Sequence, residues 1–175
     1  MDQLYAPWRH KHLAQKNESQ VTDECPFCSK FKENIENDIK NLIIKRYETC
    51  AVMLNIKPYG MGHVMVIPYD HVKSLSDLTP DQRQNLMEVV TESMSILEDH
   101  LQADGMNMGL NKGKVSGGSI DNHLHIHIVS RFIGDSGFLV TCADTKILSF
   151  DMKKMCIDLQ AAFHNNLSKK SNDTI

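Results

Sequence analysis

No apolar run in this sequence approaches the roughly 18 residues that a membrane span requires. The stretch from Met1 to Lys11 carries charges where a secretory signal would need a continuous apolar segment. A soluble, cytoplasmic chain with no membrane partner is expected. An excess of positive charge is also missing: 19 Lys and Arg stand against 22 Asp and Glu, a net charge of −3. That balance argues against a phosphate backbone as the main partner, so no nucleic acid is expected. Nor is there a disulfide framework. The five cysteines are odd in number in a chain long enough to build its own core, which points to free thiols and at most a metal pair. Cys50, Cys142 and Cys156 fall in apolar stretches and read as inert core thiols. Internal repeats and low-complexity blocks are absent. At 175 residues the chain has the size of one domain, taken as residues 1–167 with 168–175 as a frayed tail.

What is present is a series of strand and helix signals. Asn41 to Ile44 with Tyr47, then Cys50 to Leu54, read as two strands joined through the polar Glu48 and Thr49, a hairpin. His63 to Ile67 reads as a further strand, stopped by Pro68. Thr79 as N-cap, Pro80 at the first helical position and Asp81 in the first turn open a helix. Leu86, Val90, Met94, Leu97 and Leu101 then recur at three- and four-residue steps as one apolar stripe. Residues 106–111 and 123–129 read as strands around a glycine-rich turn, and Met152, Met155, Cys156, Leu159 and Phe163 mark a closing amphipathic helix. Hairpin-length links dominate. The expected fold class is α+β, an antiparallel sheet with a long helix packed on one face and a C-terminal helix.

The run His123-Leu124-His125-Ile126-His127-Ile128-Val129 carries the most chemistry. A strand's two-residue period sends the three imidazoles to one face and Leu124, Ile126 and Ile128 to the core. Same-face neighbours lie roughly 6–7 Å apart, so the row can meet one substrate or divide between two tasks. On a half-buried strand three such groups need polar partners. Four residues before the row ends the turn Asn111 to Ser119, whose Gly113, Gly117 and Gly118 let backbone amides approach an anion with no Cβ in the way. It is not a Walker loop, because the spacing is one residue short, Val115 stands where Ser or Thr is needed, and a strand follows instead of a helix. Glycine clusters also mark ordinary hairpin turns, so this one gains its meaning from its place beside the histidines.

Cys25-Pro26-Phe27-Cys28 admits three readings: half of a zinc site, a thioredoxin-like redox pair, or two core thiols. The redox reading lacks a preceding strand. The zinc reading needs two more ligands, for which His63, His71 and His123 are candidates.

These residues together resemble the histidine triad superfamily of nucleotide hydrolases and transferases, whose His-φ-His-φ-His-φ-φ signature is met in full by His123 to Val129. Asn55 to Pro58, then Gly62-His63 through Pro68 to His71, are similar to the family's ribose-side strand and the Pro-x-x-His that follows. Leu4 to Arg9, Cys25 to Cys28, Asn111 to Ser119 and Ser130-Arg131-Phe132 most resemble the branch of diadenosine tetraphosphate phosphorylases (ATP adenylyltransferases). The likeness covers about residues 3–150.

The resemblance implies that His125 is the nucleophile, taking a nucleotidyl group from the α-phosphate of a nucleotide or dinucleoside polyphosphate, with phosphate or water as the second acceptor. It places His127 and Ser119 beside it in the catalytic set, and His63, Asn111 and Gly118 at the phosphate. Phe27 and Ile56 would flank the base, and Asn55 would hydrogen-bond the ribose hydroxyls. The same likeness assigns Cys25, Cys28, His71 and His123 to a closed structural zinc site, and implies a homodimer or a dimer of dimers. Ser116, Ser130 and Phe132 depart from the branch's usual Ala, Pro and Trp. Three other readings stay open on the sequence. They are a nucleoside phosphoramidase or AMP-conjugate hydrolase of the same superfamily, a metallohydrolase ligating a catalytic metal through His123, His125 and His127, and a nucleotide-binding protein without turnover.

Overall fold

The computed structural model describes residues 24–135, 137–143 and 150–172. Leu4 to Arg9 and the last three residues of the expected tail lie outside them. Five strands make one antiparallel sheet: β1 (Ile43–Arg46), β2 (Cys50–Leu54), β3 (Val64–Pro68), β4 (Gly105–Leu110) and β5 (Ile126–Arg131). They lie in the order β1-β2-β3-β5-β4, so the histidine-bearing β5 is interior and β4 is an edge. Among the described residues the α-helices are α1 (Pro26–Lys32), α2 (Asp38–Asn41), α3 (Pro80–Leu101), α4 (Phe138–Ala143) and α5 (Met152–Asn172). This is the α+β arrangement expected from the sequence.

Alternation along the strands gives the sheet two apolar faces. Val52, Leu54, Val64, Val66, Ile126 and Ile128 point to the face covered by α3 and α5. There Leu86, Val90 and Leu97 meet Leu159 and the fully buried Phe163. Each large side chain so buried contributes about 1.5–3 kcal/mol, which is what holds the helices down. The helix α3 begins as its sequence dictates, with a capping box in which Thr79 Oγ1 accepts from Gln82 N at 3.2 Å and Gln82 Oε1 accepts from Thr79 N at 2.9 Å. Ala51, Met53, Met65 and Ile67 point to the opposite face, where Cys25 and Phe27 cover them. Arg46 fixes this cover to β1: its guanidinium donates to both Asp38 carboxylate oxygens at 2.7–3.1 Å and to the carbonyl of Phe31 at 2.9 Å.

Three details differ from the sequence reading. The ladder of β5 starts at Ile126, three residues into the histidine run, because Pro68 ends β3 and has no N–H to continue the pairing. Residues 123–125 run on as extended chain, with Leu124 N donating to Val72 O at 2.6 Å. Cys50 and Cys156 are buried, but Cys142 is exposed on the short helix α4, so it is not a core thiol. Helix α5 continues through Asn172, into the segment read as tail.

Candidate active site

The three imidazoles lie on the sheet face away from α3, as the two-residue period requires, and the fold assigns a proton position to each. His125 Nδ1 lies 2.8 Å from the carbonyl of His123. A carbonyl only accepts, so Nδ1 carries the hydrogen and Nε2 of the neutral ring keeps its lone pair. His123 Nε2 lies 2.8 Å from the carbonyl of Pro68, so its Nε2 is the donor and its Nδ1 is the lone pair. His63 is wholly buried and takes the hydrogen bond of Tyr59 N–H at Nδ1, 3.0 Å away, so its hydrogen sits on Nε2. That Nε2–H donates to His127 Nδ1 at 3.0 Å. His127 therefore carries its own hydrogen on Nε2, which lies 3.5 Å from the side-chain amide of Asn111.

Burial holds all four rings neutral. It pushes His63 down to about 3, with the neighbouring His127 and His125 adding to the effect. It pushes His127 down to about 4, with His125 adding to it. His125 is lowered chiefly by burial, against a smaller upward pull from the carbonyl of His123. Burial likewise lowers His123, opposed by the Pro68 carbonyl. A neutral imidazole with a bare Nε2 stands next to one with a protonated Nε2, their ring centres 4.8 Å apart. The first offers a free lone pair and the second an N–H hydrogen-bond donor.

Gly62 explains how His63 reaches this place. It has φ +69°, and a Cβ there would collide with Leu101 and press on Ser130 Oγ at 3.1 Å, so only glycine lets the chain turn into β3 with the imidazole facing inward. Tyr59 was not singled out in the sequence. Its amide sets the His63 tautomer and its ring stacks on His63 at 4.8 Å; the only local signal was an aromatic residue in the turn four positions before that histidine.

The other expected residues fall around the row. Asn55 Oδ1 accepts from Lys57 N at 3.0 Å, which turns Nδ2 toward His63 Nε2, 3.4 Å away. With a donor on both atoms this is a contact rather than a hydrogen bond. Ile56 is 70% exposed, whereas Phe27 is 5% exposed, its ring set edge-on to His123 and His125 at 5.5 and 5.3 Å. Phe27 thus backs His125 directly. The glycine turn folds as a short 3₁₀ segment at Lys114–Ser116 between Gly113 at φ +79° and Gly117 at φ +85°. Gly118 lies against Asn111, a Cβ there standing 3.2 Å from Asn111 Cβ. Ser119 is exposed, and among the described residues its hydroxyl has no hydrogen-bond partner.

Cys25, Cys28, His71 and His123 come together with their ligand atoms all within 4.8 Å of one another. The sulfur of Cys25 lies 3.3 Å from His123 Nδ1, and that of Cys28 lies 3.3 Å from His71 Nδ1 and 3.5 Å from His123 Nδ1. A tetrahedral zinc site with bonds of about 2.0–2.3 Å needs ligand atoms about 3.3–3.8 Å apart, so these contacts fit. The donor chemistry fits as well, because the Pro68 carbonyl holds the proton of His123 on Nε2 and leaves the Nδ1 lone pair facing both sulfurs. His125 and His127 are not in this group, so of the three histidines of the row only His123 faces the two sulfurs.

A HIT-domain family model matches residues 36–134. An AP-4-A phosphorylase of Mycobacterium tuberculosis is 31% identical over 158 residues, covering 85% of this chain and 77% of the relative. The asymmetrical bis(5'-nucleosyl)-tetraphosphatase of Schizosaccharomyces pombe is 35% identical over 89 residues, 51% of this chain and 48% of that protein. Among solved structures, a Zn-bound histidine triad family protein from Mycobacterium smegmatis superposes with a TM-score of 0.65 at 25% identity, over 84% of this chain and 98% of its own. The family model spans the turn, the strands and the full row whose proton positions are given above, and on that match this chain belongs to the histidine triad, or HIT, family.

Proposed function

We propose that this protein transfers a nucleotidyl group from the α-phosphate of a dinucleoside polyphosphate, of the diadenosine tetraphosphate kind, to phosphate or water by way of a nucleotidyl-His125 intermediate. One observation carries the reading: the 2.8 Å hydrogen bond from His125 Nδ1 to the His123 carbonyl, which leaves Nε2 bare beside a His127 set up as donor. The relatives named AP-4-A phosphorylase and bis(5'-nucleosyl)-tetraphosphatase support the substrate class.

In the first step His125 Nε2 bonds to the α-phosphorus, the bond from that phosphorus to the bridging oxygen breaks, and the departing oxygen leaves as an ionised polyphosphate that accepts a hydrogen bond from His127 Nε2–H. In the second step phosphate or water attacks the same phosphorus, the bond from His125 Nε2 to phosphorus breaks, any proton of the acceptor passes to solvent, and His125 leaves as the neutral ring with its Nδ1–H still on the His123 carbonyl. Splitting the displacement lowers each barrier, and both steps run in a site where dipoles are already in place. Asn111, Gly118 and Ser119 bind the non-bridging oxygens as charge builds on them, and His63 keeps His127 in its donor tautomer. Asn55 takes the ribose hydroxyls. Ile56 covers the base, with Phe27 behind it against the histidines.

Zinc on Cys25, Cys28, His71 and His123 supplies a structural cross-link, a reading supported by the four-residue geometry and by the Zn-bound relative. On the same reading the protein acts in the cytoplasm as a homodimer or a dimer of dimers, with α3 and an edge strand of the sheet pairing across a two-fold axis.

The test is product analysis with labelled diadenosine tetraphosphate. ATP plus ADP is expected with phosphate present, and ATP plus AMP with water alone. His125→Ala should slow both by more than about 10³-fold while leaving the fold intact. A variant that keeps the wild-type rate contradicts the mechanism.

A further inference from the structure

A cavity of about 510 Å³ opens on the β4 side of the histidine row. It is lined at one end by His127 and Asn111 and at the other by Arg131 and Asp135. Tyr59, from the connection between β2 and β3, also lines it, whereas Asn55, Ile56 and Phe27, the nucleoside residues of the proposed site, do not. The space is therefore additional to the nucleoside pocket. Its volume lies within the roughly 300–1,000 Å³ of small-molecule sites.

The floor of this trough is built by an unusual edge strand. Gly105, Asn107 and Gly109 of β4 pair with Arg131, Val129 and His127 of β5, and paired residues share a face of the sheet. The histidine face of β4 therefore presents glycine, asparagine, glycine. Neither glycine has positive φ, and a Cβ added to either would meet nothing within 4 Å. Backbone conformation and protein packing both leave room for a side chain, yet none is there, although glycine inside a strand weakens it. Space kept open along a strand in this way fits the close approach of a ligand.

Arg131 closes the trough about 13 Å along the strand from His127, four residues at about 3.3 Å each. Its Nε donates to Asp135 Oδ2 and its Nη1 to Asn107 Oδ1, both at 2.7 Å. Among the described residues Nη2 has no acceptor, and the side chain is 48% exposed. Two anchors thus hold the guanidinium in one orientation with its outer edge uncommitted, the arrangement that recognises a phosphate with little further loss of freedom. Val129 and Val140 give the same cavity an apolar wall against which a base can lie.

We propose that this trough is the subsite for the leaving half of the substrate, a second nucleoside carried on a polyphosphate, with Arg131 at its distal phosphates and the Gly105–Asn107–Gly109 face as its floor. The proposal rests on the reaction assigned above and extends it, since it makes the enzyme select dinucleotides over adenylates with small leaving groups.

Calorimetric titration in a His125→Ala background, where substrate survives, measures the preference for diadenosine tetraphosphate over AMP. Gly109→Val fills the floor with a better strand former, so the fold should persist, and Arg131→Gln removes the charge. Each is expected to reduce the preference about tenfold or more, chiefly by weakening the dinucleotide. An unchanged preference in both variants overturns the subsite, as does an equal loss for the two ligands, which marks a structural role. A protein that binds the two ligands equally before substitution overturns it too. A protein with the preference but no turnover supports the subsite while refuting the assigned reaction.

Discussion

His63 is 0% exposed and carries no charge, yet it fixes the chemistry of a residue 64 positions away. Tyr59 N–H occupies one of its nitrogens and forces the hydrogen onto the other, and that hydrogen forces His127 to keep its own on Nε2. Heteronuclear NMR of ¹⁵N-labelled protein should find His125 as the Nδ1–H tautomer and His63 and His127 as Nε2–H tautomers near neutral pH. His63→Ala should cost about 10- to 100-fold in kcat with KM little changed, because His127 is then free to turn or to change tautomer. A His127 tautomer that survives the substitution would assign its orientation to something other than His63. The residues of the row were legible in the sequence because alternation with aliphatics is a local pattern. The proton on each ring was not, since it depends on the carbonyls of Pro68 and His123 and on the amide of Tyr59, partners set by the fold and invisible to spacing.

At the scale of elements, the long helix and the β1–β2 hairpin were readable because each carries its own signal: a capping residue and a 3.6-residue stripe in α3, and β-rich runs joined through the polar Glu48 and Thr49 in β1 and β2. The helices α1 and α2, of seven and four residues, are too short for periodicity to reveal. They are held by Arg46 and by the Cys25–Cys28 group rather than by their own propensity. On the proposed zinc reading, the Cys25, Cys28, His71 and His123 group is what fastens α1 to the row: Phe27 sits between the two cysteines and packs edge-on against His125. Cys25→Ser should therefore lower the metal content from one zinc per chain and reduce the melting temperature by about 10 °C, the equivalent of a few kcal/mol. Strong chelation of the wild-type protein should do the same. A melting temperature that ignores both treatments would show that α1 is held without metal.

For the whole molecule, the buried neutral histidines tie stability to pH. His63 and His127 have folded values of about 3 and about 4 against about 6.5 in an unfolded chain. Between these values the unfolded state binds protons that the folded state refuses, so stability rises with pH there and is lost as pH falls from about 6.5 toward 3. Each of the two rings contributes up to about 1.4 kcal/mol per pH unit inside its own window. Denaturant midpoints should be flat above pH 7 and fall steadily below 6.5, with a shallower fall in His63→Ala. A flat profile down to pH 4 would mean that the rings are charged in the folded protein.

The most direct measurement is rapid quenching of wild-type protein with diadenosine tetraphosphate, followed by mass spectrometry of the peptide that carries residues 123–127. The account predicts one nucleotidyl group on His125, formed and consumed at the rate of turnover and absent in His125→Ala. Turnover at full rate with no adduct at any time point, or with the adduct on another residue, would contradict it.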